Sequence, residues 1–244
     1  MTDELFSRDA YLRTCDATVT AVNDDGVVLD RTVFYARGGG QPGDTGLLRW
    51  DTGQARVGDT FKSRETGEIL HVLEAGASPP AEGTGVTAEI DWDRRHTLMR
   101  THTALHALSG IIFTDHAARV TGGSMEPGMA RMDFELDSIS QDLGKQVEDT
   151  LNARLAEDVP VHVSFLPRAE ALSDPDLIRT KVSLIPDSVD AIRVIDIEGI
   201  DKQADGGTHV RSTGEVGRVR IVKTESKGKA NKRMRIQLDD PPAP

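Results

Sequence analysis

Two pairs of side chains in this sequence are spaced for metal chemistry. His102 and His106 stand in THTALHAL, residues 101–108, and Asp205 and His209 bound the five residues DGGTH. On a helix, positions i and i+4 share a face, so imidazoles at that spacing reach one ion. The same pair also fits two partly buried, hydrogen-bonded histidines, and by itself it does not separate the two readings. It is not the HExxH signature of a zinc protease, because Thr103 stands where that motif carries its general-base glutamate. In DGGTH, Gly206 and Gly207 let the backbone turn tightly, so Asp205 and His209 can converge without a helix. The four side chains together offer three nitrogens and one carboxylate oxygen. Zn²⁺ accepts both atom types, and its lack of geometric preference tolerates the mixture. Gln203 is placed to bond a ligand or solvent behind such a site, and Thr208 to support the turn.

A third segment, YARGGGQPGDTG at residues 35–46, has three successive glycines that bare the backbone to a close partner. Gly39 and Gly40 give it that access and Gln41 adds a neutral donor and acceptor. A structural tight turn fits the segment equally well. It is neither a P-loop, since no GK[ST] follows, nor a dinucleotide fingerprint, since GxGxxG is absent. His71, His96, His116 and His162 lack comparable partners in the text and read as surface or packing residues. His96 is the least plain of them, beside Arg94 and Arg95. No GxSxG elbow is present, and Cys15, the only cysteine, lies far from the histidine-rich segment and reads as structural.

The elements that must position these residues divide in character at Asp91. Before it, DATVTAVNDDGVVLDRTVFYA alternates around the turn signal NDDG, and GLLRW, ARVGDT and EILHVLE follow with Gly, Asp and Pro between them. These short strands predict a small β-barrel closed by TGVTAEI, with AGASPPAEGTG as a loop inside it. After Asp91, Leu98, Thr101, Leu105, Leu108 and Ile112 recur at three- and four-residue spacings and predict a helix over 94–112, with Asp93 as its cap. Leu143, Val147, Leu151 and Leu155 predict a second helix that Pro160 stops. VPVHVSFLP, DAIRVIDIEG, EVGRVRIVKTES and KRMRIQLDD read as strands, AEALSDPDL as a site for a short helix, and PPAP as a frayed tail. Helices and strands without a regular βαβ repeat indicate an α+β domain. The expected division is therefore a barrel domain at 1–90 and an α+β domain at 91–240.

Composition narrows the class. The chain of 244 residues holds no run of 18 apolar residues and its start, MTDELFSRDA, lacks a secretory pattern, so a cytoplasmic, membrane-free protein is expected. One cysteine excludes an internal disulfide framework. The net charge of −11 opposes general attraction to nucleic acid, but it is unevenly spread. Residues 216–236 concentrate eight Lys/Arg against one Glu, enough for a local phosphate-binding surface or for a solvated basic strand pair.

FYARGGGQPGDTG, DWDRRHTLMRTHTALHAL, DKQADGGTHVRSTGEVG and SKGKANKRMRI together resemble, in that order, the freestanding alanyl-tRNA editing proteins of the AlaX family, which are similar to the editing region of alanyl-tRNA synthetase. The resemblance covers roughly residues 10–238, and the GGGQPGDTG segment places it with the medium-sized members. It implies an N-terminal small β-barrel followed by an α+β aminoacyl-tRNA editing domain. It also implies a zinc-dependent deacylase, with one Zn²⁺ per chain, acting in trans on Ser-tRNA(Ala) and, in this class, Gly-tRNA(Ala). His102 and His106 match the family's HxxxH ligands and His209 the last histidine of its CGGTH element. Asp205 stands where that element commonly has cysteine, which exchanges a soft thiolate for a hard carboxylate. A chain of this length without an aminoacylation module ahead of the barrel is expected to edit without activating amino acids. Thr121 and Ser124 in VTGGSMEPG are candidate readers of the substrate hydroxyl, although a structural loop is the plainer reading of each. Lys227, Lys229, Lys232 and Arg233 are the expected tRNA contacts. Two other classes share these features: a metal-dependent hydrolase of small esters, and a noncatalytic RNA-binding module whose zinc stabilises the fold. Protein partners are not legible.

Overall fold

The computed structural model describes residues 2–174, 177 and 190–239. Two compact units divide between His96 and Thr97. The first holds eight strands: β1 (Asp3–Glu4), β2 (Thr14–Asn23), β3 (Gly26–Leu29), β4 (Arg31–Thr32), β5 (Gly46–Trp50), β6 (Gly53–Lys62), β7 (Ile69–Leu73) and β8 (Gly85–Ile90). Six of them close a barrel in the order β2-β3-β7-β6-β5-β8, with β8 pairing back onto β2 from Thr14↔Glu89 to Thr18↔Gly85. Closure by the last strand, as expected from TGVTAEI, removes the open edges of the sheet. β1 and β4 form a separate two-stranded parallel pair. The NDDG turn is fixed by Asn23, whose Oδ1 accepts from the backbone N–H groups of Asp25 and Gly26 at 3.0 and 3.1 Å.

Alternation along the strands directs Val19, Val27, Leu29, Leu48, Val57, Val86 and Ile90 inward around Phe34. Cys15 packs against this core, where burial pushes its thiol pKa up, consistent with a structural role. Among the described residues one charged pair is buried in the unit: the Arg95 guanidinium meets the Asp44 carboxylate, with Nε at 2.8 Å, and donates further to the carbonyls of Ala10 and Val33. Asp44 in turn accepts from the Tyr35 N–H at 2.7 Å. Trp92 stacks on His96 with ring centroids 5.3 Å apart, so His96 is a packing residue.

The second unit begins within α1 (Trp92–His116). This helix is the one expected over 94–112, longer at both ends. Asp93 lies in its first turn and so is not its cap. At the other end Ala117 adopts φ 53° and its N–H reaches the Phe113 carbonyl, which stops the helix. Strands β9 (Val120–Glu126) and β10 (Met129–Phe134) follow as a hairpin, then α2 (Gln141–Leu155), β11 (Val161–Pro167), α3 (Arg168–Ser173), β12 (Ala191–Ile197), β13 (Asp201–Ala204), β14 (Val219–Ser226) and β15 (Lys232–Leu238). VTGGSMEPG, read as a loop, is therefore mostly strand; its two glycines hid a hairpin whose alternation is irregular in the text. β13 was likewise not legible, being four residues long.

One sheet has the order β14-β15-β10-β9 and a second the order β11-β12-β13. α2 is capped by Ser140, whose Oγ accepts from the Leu143 N–H at 3.0 Å, and it buries Gly144, Val147, Leu151 and Leu155; Leu143 is only half-buried. Asn152 bonds both the N–H and the carbonyl of Val219, and Glu148 accepts from the Ile221 N–H, which fastens α2 to the start of β14. The short helix expected in AEALSDPDL is α3, beginning earlier; the rest of that stretch and PPAP reach residues outside those described. Among the described residues no helix is long and apolar enough to cross a membrane.

His71, buried in the barrel unit, supplies a pH test. Its Nδ1 donates to the Val27 carbonyl at 2.9 Å and its Nε2 accepts from the Thr32 hydroxyl at 2.8 Å, a fully bonded neutral ring. Burial lowers its pKa from 6.5 to about 4. Between those values the unfolded chain binds the extra proton, so this stabilisation is complete above pH 6.5 and is lost as pH falls toward 4. The stability advantage of the wild type over His71→Gln is expected to shrink by about 3 kcal/mol between pH 7 and pH 4, measured by urea unfolding.

Candidate metal centre

α1 brings His102 and His106 onto one face, and the chain leaving β13 brings Asp205 and His209 to meet them. The approach depends on Gly110, one turn beyond His106: a Cβ there would lie 2.3 Å from the Ile200 carbonyl oxygen. Only glycine lets the backbone entering β13 come this close to the helix. The loop after β13 is held by Arg193 of β12, whose buried guanidinium donates to the carbonyls of Asp205 at 3.0 Å and Gly207 at 2.7 Å. Asp205 Oδ2 accepts from the Gly207 N–H at 2.6 Å, which aims the carboxylate inward.

One ligand atom from each of His102, His106, Asp205 and His209 lies within 4.8 Å of every other. Asp205 Oδ2 is 3.1 Å from His209 Nε2, and Asp205 Oδ1 is 3.8 Å from His102 Nε2 and 4.0 Å from His106 Nε2. Donors about 2.0 Å from a tetrahedral ion stand about 3.3 Å apart, so a small contraction suits this group to a metal. The rings of His102 and His209 stack with centroids 4.4 Å apart. All three histidines are buried.

The far sides of the rings are also bonded. His106 Nδ1 is 3.0 Å from Asp201 Oδ2, and that oxygen accepts from Gln203 Nε2 at 2.7 Å, while the same amide reaches Ser109 Oγ at 3.3 Å. His209 Nδ1 is 3.1 Å from the Thr103 hydroxyl, which also accepts from the Val210 N–H at 3.3 Å. Nδ1–H donation in both rings would leave each Nε2 lone pair for a cation beside Asp205; without a cation, His209 Nε2 bonds Asp205 Oδ2 at 3.1 Å. Asp201, Thr103, Ser109 and Arg193 were not singled out in the sequence. Asp201 was visible as a second carboxylate four residues before Asp205, but nothing in the text distinguished it.

The electrostatics suit a cation. Burial lowers the His102 pKa to about 4, against the pull of Asp205, and burial with the neighbouring His102 holds that of His209 well below the ordinary range. Burial also opposes charge on His106, but the Asp201 bond and the two carboxylates outweigh it and raise its pKa. Burial would raise the Asp205 pKa; the surrounding imidazoles hold it well below the usual carboxylate range. Neutral His102 and His209 beside an ionised Asp205 are protonation states that metal binding requires, whereas at His106, whose pKa is raised, a bound cation displaces the ring's added proton.

The other expected residues are placed as follows. Gln203 stands behind the group, touching Asp201, and Thr208 is buried in the turn. Thr121 and Ser124 lie on β9, where Thr121 Oγ1 donates to Asn231 Oδ1 at 3.2 Å and Ser124 pairs with Arg131 of β10. Gly39, Gly40 and Gln41 belong to the barrel unit. The four basic residues do not form one free surface. Lys232 is buried and its Nζ donates to the carbonyls of Gly228 and Lys229, while Arg233 grips Asp133 through bonds of 2.6 and 2.8 Å. Asp133, a hundred residues earlier, is its cross-strand partner, and the Arg233 bond lowers its pKa. Lys227 and Lys229 remain exposed, Lys227 beside Glu225.

Residues 10–94 match the family described as tRNA synthetases class II (A), and residues 192–235 match the threonyl and alanyl tRNA synthetase second additional domain. The alanyl-tRNA editing protein AlaX-M of Methanosarcina barkeri is 36% identical over 98% of this chain and 100% of its own length. That of Saccharolobus solfataricus is 36% identical over 96% of the chain and 98% of its own length. The alanine–tRNA ligase of Pyrobaculum calidifontis is 40% identical over 92% of the chain but only 25% of the ligase. The first two are therefore relatives from end to end, and the ligase is a longer protein with one similar region.

The bonded shell makes a prediction that needs no substrate. In the metal-free protein, His106 is expected to carry its proton on Nδ1, read by nitrogen-15 NMR. Asp201→Ala is expected to lower zinc affinity by about 10–100-fold in a chelator competition.

Proposed function

We propose a function for a chain that belongs to the AlaX-M family of alanyl-tRNA editing proteins: it hydrolyses the ester joining serine, and also glycine, to tRNA(Ala), in trans, with one zinc ion. The chain is an aminoacyl-tRNA deacylase. The observation that carries the proposal is the convergence of His102, His106, His209 and Asp205 from a helix and a glycine turn onto one point. A zinc ion held there supplies a Lewis acid that polarises the ester carbonyl or lowers the pKa of the attacking water.

The chain's own residues prepare that site. His102, His106 and His209 would present Nε2 lone pairs to the ion, with Asp201 and Thr103 holding the protons on the opposite nitrogens of the last two, and Arg193 keeps the Asp205 loop in place. Asp205 acts as the fourth ligand, a hard oxygen donor, which favours retention of harder divalent ions beside zinc. The region of residues 91–240 works as the editing domain and that of 1–90 as the barrel domain, in the cytoplasm, where charged tRNA is used. Exposed cations of the β14–β15 hairpin, Lys227 and Lys229 among them, meet phosphates that position RNA without identifying the amino acid.

Serine adds one hydroxyl to alanine, so size alone cannot spare Ala-tRNA(Ala). Polar groups left unsatisfied by alanine can discriminate by on the order of 10⁴-fold. Thr121 and Ser124 are the proposed hydroxyl readers, and the Gly39–Gln41 turn is a proposed substrate contact of the barrel unit.

Two measurements test the reading. Single-turnover hydrolysis is expected to be much faster on Ser-tRNA(Ala) than on Ala-tRNA(Ala), with Gly-tRNA(Ala) also cleaved; equal rates on serine and alanine defeat the selectivity. A matched seryl ester cleaved as fast as the charged tRNA indicates a small-ester hydrolase, and tRNA binding without cleavage a noncatalytic module. In the second measurement, alanine at His102, His106, Asp205 and His209 is expected to abolish stoichiometric zinc and hydrolysis together, while Asp205→Cys keeps the site with a shifted metal preference. Zinc that survives all four alanines overturns the ligand assignment.

A further inference from the structure

The GGGQP turn supplies none of the four candidate metal ligands, and it borders a cavity of about 660 Å³ on the barrel unit. Arg37, Lys62 and Arg64 line this cavity together with Phe61, Gly40 and Gln41. Residues 1–90 carry only eight Lys/Arg against fifteen Asp/Glu, so three of the eight at one concavity is a concentration on an acidic unit. Gly38 and Gln41 exchange backbone hydrogen bonds of 3.1 and 2.9 Å, with Gly39 and Gly40 between them at φ of 56° and 89°, a conformation that favours glycine. The N–H groups of Gly39 and Gly40 have no acceptor among the described residues. Successive free turn amides favour an anion.

The cations are available. Arg37 bonds Asp59 at 2.7 Å and Lys62 bonds Glu4 at 3.0 Å, both at exposed positions where such pairs contribute little and an anionic ligand replaces the carboxylate. Arg64 is exposed and has no carboxylate partner among the described residues. The Arg37 guanidinium lies 4.9 Å above the Phe61 ring, which adds a flat stacking surface beside the charges. Cations with turn amides and a stacked aromatic are the combination that holds a nucleotide backbone and its base.

We propose that this cavity binds an RNA phosphodiester, with Arg64 and Lys62 as its charge contacts and the Gly40 amide as its neutral donor. The site rests on the tRNA reading given above and assigns the barrel unit a share of the RNA grip that Lys232 and Arg233, committed to internal partners, do not supply.

The test is equilibrium binding of uncharged tRNA(Ala) to the full chain over a salt series. Lys62→Glu/Arg64→Glu is compared with Arg31→Glu, a change of the same kind at a residue that does not line the cavity. The cavity variant is expected to bind about tenfold more weakly at low salt, with a log–log salt slope shallower by about 1, while Arg31→Glu changes neither. Arg64→Ala alone, which breaks no ion pair, is expected to move affinity and slope in the same direction by a smaller amount. Wild-type affinity and slope in both cavity variants overturn the proposal alone. Equal weakening by Arg31→Glu also overturns it, because bulk charge then accounts for the effect. A wild-type chain that does not bind tRNA overturns the functional reading and this site with it.

Discussion

The second unit depends on the burial of one polar helix. Every residue of α1 from Leu98 to Ile112 is buried, and among them are Arg100, Thr101, His102, Thr103, His106 and Ser109. A buried polar group without a partner costs several times what a made hydrogen bond contributes, so each of these must be met by a particular segment. Arg100 is met by the carbonyls of Glu215, Val216 and Asp239, and Thr101 by the N–H of Gly128 at the β9–β10 turn. Thr103 and His106 are met by Val210 with His209 and by Asp201. No buried side-chain nitrogen or oxygen among the described residues is left unbonded. The helix thereby selects which loops surround it, and the convergence of the four candidate ligands is one consequence.

Two aspartates four residues apart act on opposite sides of the same imidazole. Asp201 bonds His106 from behind, whereas Asp205 faces the Nε2 atoms of all three histidines. The difference arises from backbone placement: Asp201 opens a strand paired to Ile197 and packed at Gly110, and Asp205 begins the turn held by Arg193. Arg193 also brings positive charge within 4.0 Å of the Asp205 carboxylate. The guanidinium thus fixes the loop through its carbonyls while the imidazoles favour the ionised Asp205.

In the barrel unit the corresponding anchor is the Arg95–Asp44 pair. Both side chains are almost wholly buried, and removal of either leaves an uncompensated charge, a loss of about 3–5 kcal/mol. The pair ties Ala10, Val33 and Tyr35 to the segment that follows the GGG turn. Because Asp44 is fixed, the turn just before it is carried on a rigid base, although Gly39 and Gly40 themselves are exposed.

The sequence by itself determined the elements that alternate or repeat cleanly: the six barrel strands, the helix over most of α1, the hydrophobic face of α2 and the long strands β12, β14 and β15. It also pointed to the four side chains that converge at the candidate metal centre, because i, i+4 spacing on a helix and a double-glycine turn each constrain geometry within a few residues. Short or glycine-broken strands, β13 and β9, escaped it because their pairing energy comes from neighbours distant in the chain. Only the tertiary structure decided that Asp201 stands behind His106, that Arg193 grips the Asp205 loop, and that Lys232 and Arg233 are turned to internal partners. The Asp201, Arg193 and Arg233 contacts span 12 to 100 residues and those of Lys232 three and four, and a charge read along a chain does not reveal which partner folding will set beside it.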